Sequence, residues 1–250
     1  MLSVIIPTYN EVKLGFLEKI LNAFTPFEGV EIVCVDRHST DDTPQLALKA
    51  GAKLIRCDLN SRAARLNRGI EASQGKMILF HHPRSLIEPE GIRHLLHKQD
   101  MLTWGGFRHR FDDRHPVLSF ASWYSNEVRA KGKSVLYLDH CIFTQRDLLT
   151  ETPPIPEVDI FEDTALSYHL RSFAKPQLLP FYATTSAIRF RKNGYWRQSF
   201  MNQALKLGFS VGMPHEKMNR WYERGLSLNS QYDSAEFQNA SHPESNDQKL

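Results

Sequence analysis

The sequence predicts an α/β protein: a central, mostly parallel sheet flanked by helices, with a helical extension at the C-terminal end. Three observations lead there. Short apolar runs rich in β-branched residues recur through the first eighty residues, as strands buried on both faces require. Helical patterns alternate with them, and strand, helix, strand in quick succession is a βαβ unit. Each apolar run ends in a cluster of polar residues, and in an open parallel sheet that edge is where ligands sit.

Residues 2–6 are the first strand, and Pro7 is expected to end it because proline has no N–H for a ladder. Thr8, Tyr9, Asn10 and Glu11 form a polar turn before a helix over 14–24. Residues 31–35 are a second strand ending at Asp36, followed by a turn from Arg37 to Thr43 and a helix through Leu46 to Ala50. Ser39 or Thr40 is the expected cap of that helix. Residues 52–56 are a third strand. Ser61 then caps a helix closed by Gly75. Arg62, Arg65 and Arg68 fall three apart on it, which makes either a solvated basic face or a phosphate clamp. Residues 76–80 are a fourth strand, running into His81-His82-Pro83-Arg84.

Beyond Gly91 the pattern gives a helix over 92–97, a strand over 103–111, a helix over 116–128 and a strand over 134–144. The proline-rich stretch 151–156 reads as an exposed loop. The pair Glu162-Asp163 begins a helix to Phe173, where carboxylates also complement the helix dipole. A strand over 178–185, a basic turn over 186–191 and an amphipathic helix over 195–211 follow. That helix carries Trp196, Phe200 and Leu205 on one side. Such helices more often pack on their own domain than lie on a bilayer. From 227 on the residues are polar, as in a disordered tail.

Composition excludes several classes. Hydrophobic residues make 41% and charged residues 24% of the 250, ordinary for a globular protein. A net charge of +3 is too small to argue for nucleic acid. Cys34, Cys57 and Cys141 match no metal spacing, and an odd, scattered count suggests reduced thiols. No apolar run can span a bilayer, and the N-terminus has no leader pattern. The expected location is cytoplasmic, with peripheral attachment to the inner membrane face as a variant.

Four blocks in fixed order then carry a resemblance: Val4-Ile5-Ile6-Pro7-Thr8-Tyr9-Asn10-Glu11, residues 35–43, residues 62–69 leading into 75–80, and Phe161-Glu162-Asp163-Thr164-Ala165-Leu166-Ser167. Together they resemble family 2 glycosyltransferases of the Rossmann-like GT-A fold. Residues 105–113 and 184–187 resemble a bacterial, radical-SAM-associated subgroup of that family. The resemblance covers about residues 1–222. It implies a nucleotide-sugar-binding half over 1–100, an acceptor-binding half of the same domain over 101–190, C-terminal helices over 191–226 and the tail over 227–250.

The resemblance further implies inverting transfer of a sugar from a UDP- or GDP-linked donor. The acceptor is open, a lipid-linked one being a candidate. Pro7, Tyr9, Asn10, Glu11, Asp36, Ser39, Arg62, Arg65, His82 and Arg84 are the expected nucleotide-binding residues. Asp36 is placed to accept from a pyrimidine N–H, so its removal should cost nucleotide affinity and little stability. Asp163 is the expected base, with Glu162 beside it. One departure bears on the cofactor. Family members carry an Asp-rich motif for Mg²⁺ or Mn²⁺ at the fourth strand's end, and here it is His82-Pro83-Arg84. The usual metal ligand is missing, so no metal residue is assigned, and arginine can neutralise a diphosphate instead. The alternative is a non-catalytic relative that binds a nucleotide or glycan; the intact Glu162-Asp163 and Tyr9-Asn10-Glu11 favour the enzyme.

Overall fold

The computed structural model describes residues 1–59 and 61–224. Its sheet grows from β1 (Leu2–Thr8), all seven residues of which are buried. β1 is followed by α1 (Phe16–Phe24), β2 (Val30–Asp36), α2 (Thr43–Lys49), β3 (Lys53–Arg56), α3 (Arg62–Ala72) and β4 (Met77–Phe80). β2 and β4 flank β1 in parallel, and β3 adds in parallel to β2. After β4 come β5 (Ser85–Ile87), α4 (Pro89–Lys98), β6 (Trp104–Phe111), α5 (Pro116–Trp123), β7 (Ile142–Gln145), α6 (Glu162–Leu170) and β8 (Gln177–Thr185). α7 (Ile188–Asn193), α8 (Tyr195–Ser210) and α9 (His215–Glu223) complete the order. The eight strands run β3-β2-β1-β4-β7-β6-β8-β5, with β7 and β5 antiparallel to their neighbours.

The period of two along β1 builds the two cores. Leu2, Val4 and Ile6 point to the face covered by Leu17, Ile20, Leu21 and Phe24 of α1. Ile5 points the other way, into a core with Ala63, Leu66 and Ile70 of α3, Leu166 and Leu170 of α6, and Trp104. α3 comes close enough to the sheet that a Cβ on Gly69 would stand 2.2 Å from Ile5 Cγ2. Cys34 and Cys141 lie within these layers, and burial pushes both thiols up to about 12.

Four expectations are corrected. Pro7 lies inside β1 rather than ending it. The Ile5 carbonyl accepts from His81 N–H on the β4 side, so Pro7, two residues on, turns its missing donor the same way, past the end of β4. Residues 134–144 do not form one strand. Leu136 N–H donates to Ser167 Oγ and Leu138 N–H to Asp163, so this backbone is tied to α6, and only β7 joins the sheet. The turn over 186–191 is helical, its start held by Ala187 N–H donating to Asp112 of another element. α2 is capped neither by Ser39 nor by Thr40: Thr43 N–H donates to Asp41. The long α5 continues as a π-helical segment, Tyr124–Gly132.

The C-terminal helix divides the apolar side expected of it. Leu205 is buried, whereas Trp196, Phe200, Leu207 and Val211 are 66 to 71% exposed. The expected tail lies outside the described residues. Among those described, no helix is long and apolar enough to cross a membrane.

The pairing of β6 with β8 demands a glycine at its start. A Cβ on Gly105 would fall 2.0 Å from the Gln177 carbonyl oxygen, a backbone atom that no rotamer change can move. Gly105→Ala should therefore cost about 3 kcal/mol, read as a lower urea midpoint at unchanged m-value; an unshifted midpoint would show that the two strands part without cost.

Candidate active site

The ends of β1 and β2 are stitched into one loop cluster. Asp36 is fully buried, and its carboxylate accepts from Thr8 Oγ1 at 3.0 Å, Ser39 Oγ at 2.6 Å, Ser39 N–H at 2.9 Å and Arg56 Nη1 at 2.6 Å. Asn10 takes a left-handed conformation, φ 51, which asparagine tolerates better than most residues. That turns its Oδ1 to accept from Thr40 N–H, while its own N–H donates to Ser39 Oγ. Glu11 N–H donates to Thr43 Oγ1. The Arg37 guanidinium lies 5.3 Å from the centre of the Tyr9 ring.

Beneath this cluster the three arginines of α3 part company. Arg65 is buried and donates to the Thr8 carbonyl; burial first, then repulsion from Arg62 and Arg37, lowers its pKa to about 10. Arg62 turns to the start of α6, where it is hydrogen-bonded to Glu162 and stands 3.8 Å from Asp163. Arg68 is exposed and pairs with Glu71, so it belongs to the solvated face.

At the end of β4, His82 and Arg84 are both buried. His82 Nδ1 accepts from Arg84 N–H, which leaves Nε2 to carry the ring proton, 3.6 Å from Asp139. Burial and the nearby Arg84 and Arg62 keep His82 neutral, well below the usual imidazole value. Arg84 Nη1 lies 3.7 Å from Glu11, whose carboxyl is raised by burial.

A cavity of about 200 Å³ opens beside these groups. Arg62, His82, Arg84 and Asp163 line it, with Arg129 and Asp139. Pro7, Tyr9, Asn10, Glu11, Asp36, Ser39, Arg65 and Glu162 do not line it. The expected residues thus form two groups, a loop cluster braced from below by Arg65 on the Thr8 carbonyl, and a cavity, the two joined through Arg84 to Glu11. Phe161, left-handed at φ 65 and packed on Phe209 of α8, sets the entry of α6. Asp163 Oδ2 accepts from Leu138 N–H and Oδ1 from Thr164 N–H. Burial, reinforced by the Glu162 charge and opposed by Arg62, pushes the Asp163 carboxyl up to about 6.

Arg129, Tyr137, Lys206 and Tyr222 also line the cavity, and no motif in the sequence singles them out. Tyr137 falls in an expected strand and Lys206 in an expected amphipathic helix, and only the tertiary fold gathers the four. Asp139, like Asp112 and Asp113, is legible in the sequence as a carboxylate that could hold an ion in place of the missing motif.

The residues present do not fit a divalent ion. A hard cation needs several oxygen ligands, and the end of β4 offers one imidazole and one carboxylate beside the fixed positive charge of Arg84. Asp112 and Asp113 are engaged elsewhere, with Arg191, Ala187 N–H and Tyr195. Among the described residues, no group of three His, Cys, Asp or Glu side chains is placed to hold a metal.

A parallel four-strand edge with a polar loop cluster, next to a cavity lined by Asp163 and Asp139 among arginines, is the layout of the GT-A glycosyltransferase fold. Residues 3–152 match the family model described as glycosyl transferase family 2, and the chain belongs to that family. Among solved structures, TarS 1-349 from S. aureus superposes with TM-score 0.59 at 19% identity, over 73% of this chain and 60% of that one. The same TarS portion in complex with UDP-GlcNAc gives 0.58 at 20% identity, over 74% and 58%. Glucosyl-3-phosphoglycerate synthase from Mycobacterium tuberculosis, in complex with Mn²⁺, UDP and glucosyl-3-phosphoglycerate, gives 0.51 at 18% identity, over 86% and 81%. The chain thus spans about 60% of the TarS portion it matches. A comparison with curated proteins finds no match.

The Asp36 network changes what its removal should do. Without the carboxylate, buried Thr8 and half-exposed Arg56 lose their partner. Asp36→Ala should lower stability by about 2 kcal/mol, in contrast to the small cost the sequence suggests. A melting temperature equal to wild type, measured without nucleotide, would show that the network is dispensable.

Proposed function

We propose that the chain transfers a sugar from a nucleoside diphosphate donor to a hydroxyl acceptor, with inversion at the anomeric carbon. One observation carries this reading: a single cavity holds a buried carboxyl group, Asp163, poised at about 6, together with Arg62 and Arg84. A general base works best with a pKa near the operating pH. Asp163 takes the proton of the attacking hydroxyl as its oxygen bonds the anomeric carbon. The bond from that carbon to the diphosphate breaks, and the electron pair leaves with the nucleoside diphosphate. Arg84 and Arg62 offset the charge of that leaving group, as fixed cations can. The loop cluster of Tyr9, Asn10, Asp36 and Ser39 holds the nucleoside, with Pro7 and Glu11 shaping the turn and Arg65 fixing it from below. UDP is the favoured nucleotide, because the TarS and glucosyl-3-phosphoglycerate synthase structures hold UDP or UDP-GlcNAc. Residues 1–100 serve the donor and 101–190 the acceptor.

Hydrolysis of UDP-sugars by the purified chain tests this. Turnover should persist in chelator. Asp163→Asn should lower it by about 10²-fold or more while UDP affinity stays put. The base works only when deprotonated, so activity should be lost as pH falls through about 6 and be full above it. Collapse in chelator would show that a metal serves after all. Binding without turnover of any sugar nucleotide would favour the non-catalytic alternative.

A lipid-linked acceptor at the inner membrane face is supported by one observation, the exposed stripe of Trp196, Phe200, Leu207 and Val211 on α8. Such a stripe suits insertion at the headgroup boundary. The protein should float with anionic vesicles, and Trp196→Ser with Phe200→Ser should abolish flotation; a wild-type protein left at the bottom of the gradient would rule the bilayer out.

A further inference from the structure

The cations of the cavity are not equivalent. Arg62 is bonded to Glu162, and Arg189 Nη2 lies 2.6 Å from Glu223. Arg84 faces Glu11. Two remain. Arg129, on the π-helical segment, is 8% exposed, and its guanidinium lies over the Tyr137 ring. No carboxylate among the described residues comes within ion-pair distance of it, and its Nη2 is buried with no hydrogen-bond partner. Lys206, on α8, is the second. Its ammonium lies 6.0 Å from the same Tyr137 ring. Burial first, and repulsion from Arg129 second, lower it to about 8.

A buried cation without an anion is costly, and a second, half-buried cation beside it adds repulsion that the shared aromatic ring offsets only in part. The fold tolerates the arrangement, and an anion brought by a ligand would relieve it. Its position says which ligand. Arg62 and Arg84 come from the start of α3 and the end of β4, at the sheet edge that carries the loop cluster. Arg129 and Lys206 come from the π-helical segment and α8. Arg129 is near enough to Asp163 to help hold down that carboxyl's pKa, yet is not bonded to it.

We propose that Arg129 and Lys206 form an anion subsite for the acceptor, which therefore carries a phosphate group near the hydroxyl that attacks. The assignment of the subsite to the acceptor rests on the reading of Asp163 as the base. The Arg129 fork meets two phosphate oxygens, Lys206 adds a point charge, and Tyr137 holds the fork in plane. The phosphate comes from a soluble ester or from a lipid headgroup, and the chemistry of recognition is the same.

Calorimetry on the full chain saturated with UDP tests it, with glycerol 3-phosphate as soluble probe, vesicles containing phosphatidic acid as lipid probe, and glycerol as the uncharged control. Wild type should bind one of the phosphate probes at least tenfold more tightly than glycerol. Arg129→Met and Lys206→Met should each lose tenfold or more of that affinity, with UDP affinity within twofold of wild type, and Arg129→Lys should recover part of it. Which probe binds identifies the source. Absence of binding to both phosphate probes by wild type would overturn the proposal. A parallel loss of UDP affinity in Arg129→Met would also overturn it, because the cations would then serve the donor. Should wild type fail to bind UDP yet bind a phosphate probe through Arg129, the nucleotide reading falls and the anion subsite stands.

Discussion

The cavity depends on one ion pair. Arg62 opens α3 and Glu162 opens α6, a hundred residues apart in sequence, and their bond brings the two helix starts together beside the sheet edge. Both side chains are largely withdrawn from water, with the Glu162 carboxylate 1% exposed. Such a pair is a poor source of stability, since its attraction mostly offsets desolvation. Its value is positional. Breaking it would strand a charge, so the fold keeps α3 and α6 in register, and Asp163 with them. The same arginine opposes the rise in the Asp163 pKa, so the bond that fixes the position of the carboxylate also tunes its basicity.

Where the family resemblance implies an acidic residue for a metal, this chain has the guanidinium of Arg84. The exchange alters more than charge. A metal binds through ligands that must be deprotonated, so its occupancy follows pH and supply. Arg84 is covalently present, and Glu11, in the turn directly after β1, is brought against it. Neutral His82 fits this setting, because a protonated imidazole beside Arg84 would pay for both burial and repulsion.

The first four strands and the start of α6 were legible in the sequence. β1 to β4 and the helices between them follow from apolar periodicity, and the pair Glu162-Asp163 stood out as acids at a helix start. The errors share one kind of cause, the surroundings of the backbone. Pro7 stays in the strand because its missing donor faces past the end of β4, while the stretch 134–144 and the turn over 186–191 send their hydrogen bonds to α6 and Asp112. β5 was missed because three residues, one a buried serine bonded to Thr185, carry no pattern of their own. Arg129 and Lys206 were invisible for a different reason. A lone cation in a helix reads as solvated until the fold removes the solvent, and the lack of a carboxylate partner is a property of space and not of spacing.

The wall that α8 and α9 give the cavity lies beyond residues 3–152, the part of the chain that matches the family. Lys206 and Tyr222 therefore belong to a part of the wall that the family match does not reach. The two helices stand to the cavity as a faceplate: changes confined to them would recast the chamber beside Asp163 without touching a residue of the strand-end loops. Phe161, its ring tilted against Phe209 of α8, is the seam that joins this faceplate to the start of α6.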